Sequence, residues 1–194
     1  SVDIGITIYN NPAASKLWLP APVIKRLSKV DNIIGLKENT NNPMAFLGML
    51  QTIDEKDMAV FAGLGHFMYQ FMCFHGCKGF VTEMLNYAPH LAVDLYHAGL
   101  EKDAAKVREV ADKMNLFWNW VFRLAAKHSL IPSAVHPMNQ LPNDMPYYQA
   151  ANKAAAQLCG MPSGAARAPM ENIPEEEIPE LRQILKEMGC NVVA

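Results

Sequence analysis

Residues 31–40 read DNIIGLKENT, and this stretch decides the fold. Ile33, Ile34, Gly35 and Leu36 make a short apolar run of the kind that fills a buried strand, and the run ends on Lys37. A lysine there has two explanations. It can lay its alkyl stem along apolar surface and keep the ammonium wet, or pair with a carboxylate. It can instead be an amine nucleophile, because desolvation in a tight pocket disfavours the ammonium and leaves a lone pair to attack a ketone.

Working outward, three similar runs occur at 4–9 (IGITIY), 58–62 (MAVFA) and 79–84 (GFVTEM). The segments between them have helical period. Residues 19–30 place Val23, Ile24, Leu27 and Val30 on one face, with Pro20 and Pro22 at the start, where proline is tolerated. Residues 42–54 do the same with Phe46, Leu47, Met49, Leu50 and Ile53, behind Pro43. Residues 66–75 are aromatic-rich, and 88–98 follow the last run. Strand–helix alternation predicts parallel strands joined by right-handed crossovers, hence four βα units over 1–98. The remainder, 99–194, reads as helical. A long helix is expected over 101–128, striped by Val107, Val110, Met114, Phe117, Val121 and Leu124. A proline-punctuated connector runs from Pro132 to Pro146, and two more helices are expected at 147–159 and 175–188.

Alternation along the strands carries more information. In 4–9 one face holds Ile4, Ile6 and Ile8, the other Gly5, Thr7 and Tyr9. In 33–37 one face holds Ile34 and Leu36, the other Ile33, Gly35 and Lys37. The apolar face calls for helices. The second face, with small and polar residues and a reactive side chain at its end, suits the interior of a parallel barrel, whose chemistry sits at the C-terminal ends of the strands. Tyr9 ends the strand before that of Lys37 on the matching face, where a phenol could relay protons.

Composition narrows the field. With 51% hydrophobic and 19% charged residues the chain is globular, and a net charge of −2 gives no nucleic-acid footprint or polybasic membrane patch. No apolar run approaches the roughly 20 residues of a membrane helix. Cys73, Cys77, Cys159 and Cys190 form no paired C-x-x-C set, so reduced thiols in the cytoplasm are expected. Cys73-x-His75-x-Cys77 offers half a zinc site, and a second pair of ligands is missing.

Three motifs, IYNNP (8–12), GLKE (35–38) and GCKGFVTEMLNYAP (76–89), occur in an order and spacing that resemble the dihydrodipicolinate synthase/N-acetylneuraminate lyase family. The tail AANKAAAQLCGMPSGAARAPM with LRQILKEMG resembles that family's C-terminal helices. The resemblance implies an α/β fold of the (β/α)8 TIM barrel family, here strands five to eight plus a C-terminal helical extension, usually assembled as a homotetramer. It implies a class I aldolase or lyase in which Lys37 forms an imine with pyruvate or another 2-oxo acid and Tyr9 relays protons. The covalent imine is then the electron sink, and no metal or organic cofactor is expected. Val81 would offer main-chain contacts to the substrate, and Asn10 of the tyrosine motif and Gly63 would line the site. Glu83, two residues beyond Val81 on the same strand face, would meet the substrate's variable end or pair within the barrel.

The sequence also departs from the family. Its G-T-T-G-E carboxylate-binding segment, from the first half of the barrel, does not occur in this chain. The first residue is Ser1 and strand character begins at Ile4. A fragment, a processed product or one part of a split barrel is therefore expected, with the N-terminal half-barrel supplied elsewhere. The arginine that the synthase branch carries two residues after the proline is Ala14 here, which argues against the dicarboxylate-type substrate. The family's G-x-D reads Gly63-Leu64-Gly65, and Lys16 gives a short echo of the aromatic hydratase–aldolase branch. The expected function is a Schiff-base lyase or aldolase on a small 2-oxo acid, with an aldehyde as a possible second substrate. The alternative is a non-catalytic family member that binds an oxo acid or serves assembly.

Overall fold

The computed structural model describes residues 3–128, 147–168 and 170–193. The expected connector between Pro132 and Pro146 lies outside the described residues. Four strands, β1 (Ile6–Asn10), β2 (Ile33–Glu38), β3 (Ala59–Ala62) and β4 (Gly79–Phe80), form one parallel sheet in the order β1-β2-β3-β4. Between them come α1 (Pro12–Ser15), α2 (Ala21–Leu27), α3 (Pro43–Thr52) and α4 (His66–Met72). Then follow α5 (Pro89–Glu101), α6 (Ala104–His128), α7 (Tyr148–Leu158) and α8 (Ile178–Glu187). The expected alternation of strand and helix is thus present.

The described chain forms two compact units. One comprises Ser1–Thr82 with Leu95–Arg108, the other Glu83–Asp94 with Glu109–Ala194. The boundary expected at residue 98 falls inside α5, a continuous helix that contributes to both.

In the first unit, register fixes the faces. Tyr9, Lys37, Phe61 and Gly79 are cross-strand partners, so their side-chain positions share one face. Ile8, Leu36 and Val60 form the next row on the opposite face, followed by Asn10, Glu38, Ala62 and Phe80. That opposite face is the helix-covered one: Leu36 is wholly buried, and the Phe80 ring lies 4.7 Å from the ring of Tyr69 in α4. Local chemistry starts the helices. Asn42 caps α3 by accepting from the Met44 and Ala45 amides, and Pro43 occupies the first turn, where its missing N–H is not needed.

The structure differs from the expected pattern at four places. Ile34, expected beside Leu36 on the covered face, is the extra residue where the register shifts between Ile6 and Thr7, and it is 54% exposed. Ile4, which precedes β1, and Ile6 are also exposed in this chain. Helix α2 stops at Leu27, where the Ser28 hydroxyl donates back to the Lys25 carbonyl, and Val30 is left outside it. The strand expected over 79–84 is only Gly79–Phe80, followed by a 3-10 turn at Glu83–Asn86.

In the second unit the expected stripe of α6 is buried: Val110, Met114, Phe117, Val121 and Leu124. The alanine face of α7 and Leu181, Ile184 and Leu185 of α8 complete an apolar core. Tyr87 adds a partly buried hydrogen bond, its hydroxyl donating to Asn152 Oδ1 at 2.8 Å. No helix among the described residues is long and apolar enough to cross a membrane.

Candidate active site

Parallel pairing brings the C-terminal ends of β1 and β2 side by side, with Tyr9 and Lys37 as direct partners. Lys37 Nζ lies 4.0 Å from the centroid of the Tyr9 ring. That contact steers the amine across the sheet face. Lys37 is half-buried and Tyr9 is 53% exposed in this chain, and the two share one face of the sheet. Gly35 lies one alternate position before Lys37. A Cβ there would come within 2.8 Å of Thr7 Oγ1, so glycine is what lets β1 and β2 keep this register.

The next register pair faces the other way. Glu38 is 1% exposed, and its Oε2 accepts from Asn10 Nδ2 at 2.7 Å while Oε1 accepts from the Thr40 amide at 2.8 Å. Burial pushes this carboxyl above the usual glutamate value, and the hydrogen bonds from Asn10, Thr40 and Asn39 only partly oppose it. Asn10 also donates to the Leu19 carbonyl and accepts from the Leu19 amide, both at 3.2 Å. Asn10 was expected among the substrate contacts. It is instead 2% exposed, on the face opposite Lys37, with its amide committed to Glu38 and Leu19. It ties the two strand ends to the following loop.

Beyond the strands the chain returns to the inner face. The Asn39 amide donates to the Asn10 carbonyl at 2.9 Å, which extends the ladder by one step. Asn11 Nδ2 donates to the Tyr9 hydroxyl at 3.0 Å, and Asn39 Nδ2 donates to Asn11 Oδ1 at 3.4 Å. Gly63 N–H donates to the Glu38 carbonyl at 2.7 Å, and a Cβ at Gly63 would collide with Asn39. Gly63 therefore shapes the end of β2. Asn11, Asn39 and Glu38 were not named as site residues from the sequence. The signal for the first two was two asparagines, each two positions beyond Tyr9 and Lys37.

Val81, 46% exposed, continues the β3–β4 ladder by donating to the Ala62 carbonyl at 3.0 Å. Glu83 belongs to the second unit, where the Tyr148 hydroxyl approaches Glu83 Oε2 at 3.5 Å. The alternation that placed it on the face of Val81 does not apply, because Glu83 opens the 3-10 turn rather than extending β4. Cys73 and Cys77 are buried free thiols directed at main-chain carbonyls, and His75 is exposed. Among the described residues, no three His, Cys, Asp or Glu side chains stand together as metal ligands.

A parallel βα sheet with a lysine at the mouth of one strand and a tyrosine in register on its neighbour fits one part of a (β/α)8 barrel with an amine at its C-terminal rim, and the solved structures that it superposes on extend to almost twice its length. The sequence comparison makes the assignment specific. The chain belongs to the dihydrodipicolinate synthetase family, whose family model matches residues 1–140. It is 25% identical over 187 residues to the 4-hydroxy-tetrahydrodipicolinate synthase of Archaeoglobus fulgidus, covering 96% of this chain and 56% of that protein. The dihydrodipicolinate synthase of Aquifex aeolicus superposes with a TM-score of 0.74 at 24% identity, over 100% of this chain and 58% of that one. An Escherichia coli K12 prophage protein of the dihydrodipicolinic acid synthase family, solved in complex with pyruvate, superposes with a TM-score of 0.72 at 21% identity, over 97% of this chain and 57% of that one. The chain thus spans about half the length of the relatives it matches.

Proposed function

We propose that this chain carries the imine-forming half of a Schiff-base lyase or aldolase that acts on pyruvate or a related small 2-oxo acid. The observation that carries the reading is the register pair Tyr9–Lys37 at the mouth of two adjacent parallel strands, with Nζ 4.0 Å from the ring centroid. Membership in the family and the pyruvate complex of one structural relative support the choice of ligand.

In this mechanism the neutral Lys37 amine attacks C2 of the oxo acid, and the carbonyl π electrons move to oxygen. Tyr9 gives its proton to that oxygen and regains one from the nitrogen, which yields the carbinolamine. A second proton from Tyr9 lets the hydroxyl leave as water while the nitrogen lone pair closes the C=N bond, and solvent reprotonates the phenolate. The cationic imine then accepts the electron pair from C3 deprotonation or C–C cleavage. The Lys37 imine serves as electron sink in place of a metal or organic cofactor. Glu38 and Asn10 act from behind the sheet by holding the two strand ends together. Val81 and Gly63 border the site through main-chain groups.

The carboxylate-binding segment and the facing half of the barrel come from a preceding segment or another chain, and assembly is as a homo-oligomer, a tetramer by analogy with the family. The four free thiols suit a cytoplasmic setting. Ala14, in α1, lacks the cation that a dicarboxylate-type second substrate would use, so the acceptor differs from that of the synthases. The test is exchange of the pyruvate methyl protons in deuterium oxide, followed by NMR on the intact protein. Exchange in the parent that vanishes in Lys37→Ala supports the enamine. Equal exchange in both removes Lys37 from the chemistry.

A further inference from the structure

We infer that Asn11, seated by Asn39, is a positioning residue that holds the Tyr9 hydroxyl with its proton free to be given away. The inference rests on the roles of Lys37 and Tyr9 proposed above and extends them.

Asn11 and Asn39 each lie two residues beyond the Tyr9–Lys37 pair, and the main-chain bond from the Asn39 amide to the Asn10 carbonyl carries the pairing past the strand ends. The hydrogen bonds from Asn11 to Tyr9 and from Asn39 to Asn11 place both asparagines beside this pair, while Asn10 and Glu38 between them are buried on the helix-covered face. Donor and acceptor bookkeeping then fixes the direction of each bond. Asn11 Oδ1 accepts from the Ala14 amide and from Asn39 Nδ2, both at 3.4 Å. With the carbonyl oxygen committed to two donors, the amide nitrogen is the end that meets Tyr9, at 3.0 Å. A phenol has one proton to give and lone pairs to accept with. Since Asn11 supplies the incoming N–H, the outgoing O–H of Tyr9 stays available to the substrate oxygen.

Asn39 is itself held. It is 8% exposed, and it sits against Gly63, where any side chain would displace it. The chain Gly63, Asn39, Asn11, Tyr9 thus runs from the end of β3 to the reacting oxygen. When Tyr9 gives its proton to the carbinolamine hydroxyl and water leaves, the Asn11 N–H remains to stabilise the phenolate.

The discriminating substitution is Asn11→Asp in the intact protein. Aspartate caps α1 as well as asparagine does and still accepts from Ala14 and Asn39, but it has no N–H for Tyr9. The Tyr9 O–H then turns toward the carboxylate and away from substrate. Quenched-flow borohydride trapping with pyruvate is expected to show imine formation slowed by about 10²-fold, the low end for loss of a positioned acid, with KM for pyruvate little changed. The slowing should match that of Tyr9→Phe, and the unfolding midpoint should hold. Asn11→Ala, which frees the hydroxyl rather than reversing it, should slow the step less and cost stability through the lost cap. A parental rate in Asn11→Asp, alongside a slow Tyr9→Phe, would overturn the inference and leave the proposed function intact. So would slowing that disappears at alkaline pH, since that would be a charge effect on the amine. A parental rate in Tyr9→Phe would remove the tyrosine from the mechanism and the inference with it.

Discussion

The two faces of the sheet in the first unit are built to different ends. The helix-covered face carries Ile8, Leu36 and Val60, and then a polar row, Asn10 and Glu38, whose hydrogen bonds close on one another and on the next loop. The inner face carries Thr7, Tyr9, Gly35, Lys37 and Phe61, a mixture of polar, small and aromatic residues. One face spends its side chains on holding strands in register. The other receives that register as a fixed spacing between a phenol and an amine. A polar residue on the first face is a clasp, and one on the second is available for chemistry, even where the two are neighbours in sequence.

Four substitutions would break or sharpen this contrast. Lys37→Ala should reduce pyruvate methyl exchange to background and leave the urea midpoint close to the parent value, because its side chain is not part of the helix-packed core. Tyr9→Phe should slow imine formation by roughly 10²-fold or more in quenched-flow trapping, again with little change in stability. Leu36→Ala, one residue from Lys37 and wholly buried, should do the opposite. It should cost about 2–5 kcal/mol in urea unfolding, and whatever protein remains folded should trap pyruvate normally.

Glu38→Gln should show the smallest effect, and it is read against pH. Burial holds the Glu38 carboxyl above the ordinary value of 4.5, so the native state keeps this proton where the unfolded chain has lost it. Stability should therefore fall as pH rises from the ordinary value through the raised native one, and level off above it. The amide removes that slope. It keeps only one acceptor for the two donors Asn10 and Thr40, so a uniform loss of about 1–3 kcal/mol should accompany the flattening. Thermal midpoints of both proteins across the acid range check this, and parallel curves would remove Glu38 as a titrating clasp.

Much of this was legible because alternation is strict where strands are regular. The partnership of Tyr9 and Lys37 follows from two runs of period two ending at matched positions. The same alternation places Asn10 on the helix-covered face, where it meets Glu38. The bulge at Ile34 was not legible, since a register shift is decided between strands and leaves no local pattern. The early end of β4 was hidden by Val81 and Met84, whose apolar character reads as strand although the chain folds into a 3-10 turn. Helix α1 is four residues long, too short for any periodicity, and only the Asn11-Pro12 pair announces it. The hydrogen bond from Asn11 to Tyr9 depended on side-chain direction in that turn, which sequence spacing does not give.

The most direct test of the central claim is borohydride reduction of the intact protein with pyruvate, followed by peptide mass spectrometry. The account predicts one reduced adduct, on Lys37, absent without pyruvate and absent in Lys37→Ala. An adduct on another lysine, or none on a folded protein, would contradict the assignment of the inner face to imine chemistry.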